Sequence, residues 1–143
     1  MQVPLLDLKT VDGAPAPWNE IWQKRNLLLL IADEPCEECH RVLERWLPHL
    51  EEQHATAVAI YRERPDSIPE GVIGLLDPEG RMAKALGVPE DEAVAVAADR
   101  YFSVEAVEPV HELGARAVSK DTMAWIDLAE RRCDECGVPV WGP

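Results

Sequence analysis

Two cysteines separated by two residues, set where an apolar strand meets an amphipathic helix, constrain this chain more than any other feature. Leu27 to Ala32 is continuous and apolar, the pattern of a strand buried on both faces of a sheet. Asp33, Glu34 and Pro35 end it, and Pro35 suits the first turn of a helix, where its missing N–H leaves nothing unpaired. From Cys36 to Gln53 the pattern turns helical: Cys39, Val42, Leu43, Trp46, Leu47 and Leu50 recur at spacings of three and four and form one stripe. Pro48 falls inside that helix and predicts a kink near Glu44.

The flanking segments follow the same reading. Pro4 to Lys9 alternates weakly and reads as an edge strand, and Trp18 to Trp22 as a single helical turn. Ala55 to Tyr61 is a second buried strand, followed by a polar loop over Arg62 to Gly71. Val72 to Leu76 is short and extended, and Asp77-Pro-Glu-Gly80 is a turn sequence. Arg81 to Leu86 makes a short helix closed by Gly87. Ala93 to Ala97 and Tyr101 to Val110 alternate on either side of Asp99-Arg100 and predict an antiparallel hairpin. Ser119 caps a last helix over Thr122 to Arg132. The order is β, β, α, β, α, β, β, α. Strand, helix and strand in the first half demand a right-handed parallel crossover, and the whole gives an α/β sandwich with helices on both faces of a mixed sheet.

Composition narrows the function. The chain of 143 residues carries a formal net charge of −13, so it lacks the basic footprint of a nucleic-acid binder and is repelled by an anionic membrane surface. Six apolar residues at Leu27 to Ala32 fall far short of a bilayer span, and the first residues do not read as a secretory signal. The expected location is the cytoplasm. Four cysteines in a reducing compartment point to metal binding or redox chemistry rather than to structural disulfides.

Cys36 and Cys39 should differ. Cys36 opens the helix, where unpaired N–H groups favour a thiolate, and Cys39 lies on the buried stripe. An attacking Cys36 and a resolving Cys39 follow. Asp33, Glu34, Glu37 and Glu38 crowd the pair. A carboxylate ~7 Å away in water-like surroundings disfavours the thiolate by ~0.6 kcal/mol, which works against the helix effect and predicts a reducing dithiol rather than a strong oxidant. His40 reads as a surface bystander. The same spacing also fits two thiols that merely pack, or half of a zinc site.

From roughly Leu5 to Ile126 the chain resembles the thioredoxin-fold superfamily, in its peroxiredoxin-like branch of alkyl hydroperoxide reductase and thiol-specific antioxidant relatives. The likeness lies in LLDLKTVDG, in LLLLIA running into PCEECHRVLERWLPHLEE, in AVAIY, and in LLDPEGRMAKALGV. It implies a thioredoxin-like sandwich and thiol chemistry at Cys36 and Cys39. Peroxiredoxins carry Thr or Ser three residues before the attacking cysteine and Pro seven before it; Asp33 and Leu29 stand there relative to Cys36. Thioredoxins carry a cis-proline just before the hairpin, and Pro89 is the nearest match.

Cys133 and Cys136 repeat the spacing after the last helix, giving a thioredoxin-like domain over 1–132 and a tail over 133–143. A four-thiolate zinc site within one chain is disfavoured, because a helix of that length carries Cys133 ~18 Å from its start at the Cys36 end. Three readings stay open for the second pair: a relay to Cys36–Cys39 of another subunit, a zinc half-site completed across a homodimer, or a surface disulfide pinning the tail. The favoured function is a thiol–disulfide oxidoreductase acting on a protein or small-molecule disulfide and served by a reducing partner. A zinc-binding structural module and a thiol peroxidase are the alternatives. No cofactor is implied, and no metal ligand set is assigned.

Overall fold

A computed structural model describes residues 1–34 and 36–110. In chain order the strands are β1 (Lys9–Thr10), β2 (Asn26–Ala32), β3 (Ala55–Tyr61), β4 (Val72–Leu76), β5 (Val94–Ala98) and β6 (Val104–Pro109), with helices α1 (Glu37–Trp46) and α2 (Arg81–Leu86). The strands form one sheet in the order β1-β4-β3-β2-β5-β6. β2, β3 and β4 are parallel, while β1, β5 and β6 run antiparallel to their neighbours.

β2 lies between β3 and β5; its apolar run Leu27 to Ala32 is buried as a central strand requires, and the polar Asn26 at its start is buried too. Its side chains alternate between two cores. Leu27, Leu29 and Ile31 join Val58, Ile60, Val94 and Val96 under α2, which contributes Met82, Ala83 and Leu86. Leu28 and Leu30 join Ala57, Ala59, Ala95 and Ala97 under α1, which contributes Cys39, Val42, Leu43 and Trp46. The sizes are complementary. Where β3 and β5 present alanine, α1 supplies Trp46 and Leu43; where they present valine and isoleucine, the short α2 is joined by Trp18, Ile21 and Phe102. The two helices therefore cover opposite faces of a mixed sheet, the α/β sandwich expected from the sequence.

Several local expectations are corrected. The edge strand is Lys9–Thr10, not Pro4 to Lys9. Pro4 has no N–H to offer a ladder, and Leu8 N–H folds back to the Leu6 carbonyl at 2.9 Å. Val72–Leu76 is a full member of the sheet, parallel to β3, which adds a strand to the expected order. Pro48 does not kink a long helix near Glu44: α1 ends at Trp46, and Leu47–His49 is a 3₁₀ turn with the proline in its first positions. Tyr101 and Phe102 belong to a turn in which Asp99 Oδ1 accepts from the N–H groups of Tyr101 and Ser103, at 2.9 and 3.0 Å. The last helix, Ser119 and the 132/133 domain boundary lie outside the described residues. No described helix is long and apolar enough to cross a membrane.

Candidate functional site

Cys36 is the N-cap of α1. Its backbone is extended (φ −139°, ψ 158°), its carbonyl accepts the N–H of His40 at 3.1 Å, and its Sγ accepts the N–H of Cys39 at 3.2 Å. A sulfur thus fills the place usually held by a serine or aspartate oxygen. Cys36 and Cys39 are joined in a disulfide, with their Cα atoms 5.3 Å apart. Their surroundings differ as their positions on the helix dictate. Cys36 is exposed, whereas Cys39 is 0% exposed and packs in the core with Leu30, Ala32 and Tyr61.

Sheet register decides what surrounds them. In the parallel pairs Ala32 stands opposite Tyr61, and Tyr61 opposite Leu76, so β2, β3 and β4 all end at one rim. β5 runs the other way and starts there, with Val94 opposite Ile31. The residues just beyond these strand ends therefore gather around the start of α1, at the carboxyl ends of the parallel strands where α/β sheets bind ligands. After β2 come Asp33 and Glu34, and after β3 come Arg62, Glu63, Arg64 and Asp66.

Beside Cys36 lies an open cleft of about 430 Å³, lined by Glu34, Glu37 and His40 on one side and by Glu63, Arg64, Asp66 and Ser67 on the other. The second wall is the loop over 62–71, held down by buried Pro65 and by Ile68, which covers Gly74 of β4. Glu34 and Glu37 of the first wall are legible beside the dithiol in sequence, whereas Glu63, Arg64, Asp66 and Ser67 of the second are brought there by the parallel pairing of β2 with β3.

Asp33, at the position where peroxiredoxins carry a hydroxyl, forms an ion pair with Arg62 at 3.7 Å, and Arg62 also faces Glu90 at 3.5 Å. The guanidinium links the segment after β2 to the one before β5. Pro89 follows a trans peptide bond, and no cis peptide occurs among the described residues. Tyr61, on the Cys39 side of the sheet, has its phenol pushed above the ordinary value of 10.0 by burial.

Other candidates are placed as follows. His40 faces Glu44 at 3.7 Å and His49 faces Glu52 at 2.9 Å, all four partly exposed. Glu51 pairs with Arg25 at 3.0 Å. Trp18 and Trp22 stack edge-on against Phe102, with ring centroids 5.7 and 5.5 Å away, and Trp46 is buried under the sheet. Among the described residues no group of three or more His, Cys, Asp or Glu is arranged to hold a metal ion. Cys133 and Cys136 lie outside the described residues, and with them all three readings of the second pair.

No family model and no curated protein matches the chain. Solved structures do. A candidate thiol:disulfide interchange protein, DsbE, from Chlorobium tepidum is 16% identical, with a TM-score of 0.68 over 90% of this chain and 94% of its own. The peroxidoxin BcpB from Mycobacterium tuberculosis is 14% identical, with a TM-score of 0.71 over 90% of this chain and 95% of its own. BsSco, of the Sco family of cytochrome c oxidase assembly proteins, is 10% identical, with a TM-score of 0.67 over 91% and 94%. At such low identity these likenesses show the fold alone: the chain has a thioredoxin-like fold.

Proposed function

We propose that this chain is a thiol–disulfide oxidoreductase. In its reduced form the Cys36 thiolate attacks one sulfur of a partner disulfide. An Sγ–S bond forms, the partner's S–S bond breaks, and the leaving sulfur departs as a thiolate that takes a proton from solvent. Cys39 then gives up its proton, and its sulfur attacks Cys36 Sγ and releases the second partner thiol. The partner gains two electrons and two protons. The chain is left with the Cys36–Cys39 disulfide, which a reducing thiol partner must reopen. We assign the cytoplasm, as a compartment able to supply that reductant.

One observation carries this reading: an exposed cysteine capping a helix at the carboxyl rim of the sheet, bonded to a buried cysteine one turn on. Accessibility suits Cys36 to meet a partner, and burial suits Cys39 to act only on the bond that Cys36 has formed. The test is insulin disulfide reduction by wild type, Cys36→Ser and Cys39→Ser. Wild type reduces insulin, Cys36→Ser does not, and Cys39→Ser accumulates a mixed disulfide visible on a non-reducing gel. Equal activity in wild type and Cys36→Ser overturns the proposal.

A thiol peroxidase is the second reading, supported by the likeness to the peroxidoxin BcpB. Asp33 weighs against it, because a carboxylate offers no hydroxyl to hold a peroxide. Peroxide consumption in the presence of dithiothreitol, lost in Cys36→Ser, would favour the peroxidase. Insulin reduction without peroxide consumption favours the oxidoreductase.

A further inference from the structure

We infer that the disulfide this protein exchanges with carries cationic groups beside its sulfur atoms; this rests on the oxidoreductase reading and specifies its substrate. The site is the Cys36–Cys39 disulfide in its cleft, and the charges around it decide who arrives. Four carboxylates line the cleft (Glu34, Glu37, Glu63, Asp66) against one guanidinium, that of Arg64. With histidine neutral, the lining is four minus one, a net charge of −3. Glu37 faces Arg41 at 3.6 Å, and His40 is engaged with Glu44 at 3.7 Å. Glu34, Glu63 and Asp66 have no ion-pair partner among the described residues and are exposed.

Two unrelated stretches of chain build this lining. Glu34 and Glu37 flank the dithiol in sequence, whereas Glu63 and Asp66 arrive from the loop after β3, brought there by the parallel register of Ala32 with Tyr61. The molecule's net charge of −13 adds a field of the same sign. In such a field an ammonium or guanidinium group beside the attacked sulfur is drawn in, and a carboxylate is repelled. Both effects act on the encounter and are weakened by salt. The cleft is an open groove rather than a closed pocket, so lysine or arginine flanking a cystine in a polypeptide can reach the carboxylates as an amine on a small disulfide can. Electrons and atoms balance as in the exchange above: the cationic disulfide is reduced to two thiols, and the dithiol is oxidised.

The experiment reacts the reduced full-length protein with three small disulfides of similar size: bis(2-aminoethyl), bis(2-hydroxyethyl) and bis(2-carboxyethyl) disulfide. Each rate is divided by that of dithiothreitol with the same reagent, which removes intrinsic reactivity. The normalised rates should fall in the order cationic, neutral, anionic. The span from first to last should be on the order of tenfold or more at low ionic strength, and should shrink severalfold in ~0.5 M salt. In Glu63→Gln/Asp66→Asn the cation-to-anion ratio should drop severalfold, and both replaced side chains are exposed, so folding is not at stake. A matched pair of cystine peptides, one flanked by lysine and one by glutamate, separates the sources: a larger preference in the peptides than in the small reagents assigns a polypeptide substrate, and an equal one a small aminothiol disulfide. Equal or reversed normalised rates across the three reagents overturn the charge inference and leave the oxidoreductase intact. Absence of exchange with all three, while dithiothreitol reacts, overturns the oxidoreductase itself.

Discussion

The N–H of Cys39 donates to the Sγ of Cys36 at 3.2 Å, so one half of the disulfide caps the helix that carries the other half. The geometry does not need the S–S bond, because a reduced Cys36 sulfur accepts as well. Opening the disulfide should therefore leave the start of α1 in place. Serine is a good N-cap and alanine is not, so Cys36→Ser should be more stable than Cys36→Ala by about 0.5–1 kcal/mol. Neither variant can form the disulfide, and the difference isolates the cap. Urea unfolding of the two under reducing conditions measures it; coincident midpoints would mean that the sulfur contributes nothing to the helix start.

Asp77 plays the corresponding part for α2. The residue before that helix, Gly80, is left-handed and has no side chain to cap with, so a carboxylate further back takes over. Asp77 is 2% exposed, and its two oxygens accept from the N–H groups of Arg81 and Met82 at 3.0 and 2.9 Å. Asp77→Ala strips the acceptor from the part-buried N–H of Arg81 and from the buried N–H of Met82, and should cost about 1–3 kcal/mol. Asp77→Asn keeps one acceptor oxygen and should fall between. Denaturant midpoints give the ranking, and an alanine variant as stable as wild type would show that water replaces the carboxylate.

Much of this was legible because single segments carried it. Leu27 to Ala32 reads as a central strand, Ala55 to Tyr61 matches β3 end to end, Val72 to Leu76 is extended as expected although the expected order does not count it as a strand, and Gly87 closes α2 in the left-handed conformation that glycine allows. The dithiol at the strand-to-helix junction was equally plain. What the sequence concealed depends on pairing at a distance. Whether Lys9–Thr10 or the residues before it join an edge is decided by β4, some sixty-five residues on. That Glu63 and Asp66 face Cys36 follows only from the register of β3 against β2. Pro48 misled because a proline can either kink a helix or open a new turn, and Leu47–His49 takes the second course.

Tyr61 links stability to pH. Burial raises its phenol above 10.0, so the unfolded chain releases this proton first as pH climbs. The neutral phenol's contribution is complete below about pH 10 and is lost as pH rises through the raised value. Unfolding midpoints of the oxidised protein at pH 9 and pH 11 should therefore differ more in wild type than in Tyr61→Phe, which has no proton to lose. Identical shifts in the two would assign the alkaline loss to other groups.

Ile68 ties the wall of the cleft to the sheet. A Cβ added at Gly74 would overlap Ile68 Cδ1 and lie 3.3 Å from Val11 Cγ1, so the glycine is the seat in which Ile68 rests. Ile68 belongs to the loop that supplies Glu63, Arg64 and Asp66 to the Cys36 cleft. Gly74→Ala should push that half-buried side chain outward at a cost of about 1 kcal/mol, the low end for overpacking, because the overlap is with its movable far end. It should also change the alkylation rate of reduced Cys36 by shifting the charged wall. Ile68→Ala removes the clash. In the double variant the two stability losses should therefore sum to less than their separate values, by about 0.5–1 kcal/mol or more. The four unfolding midpoints complete the cycle, and strict additivity would show that Gly74 and Ile68 act independently.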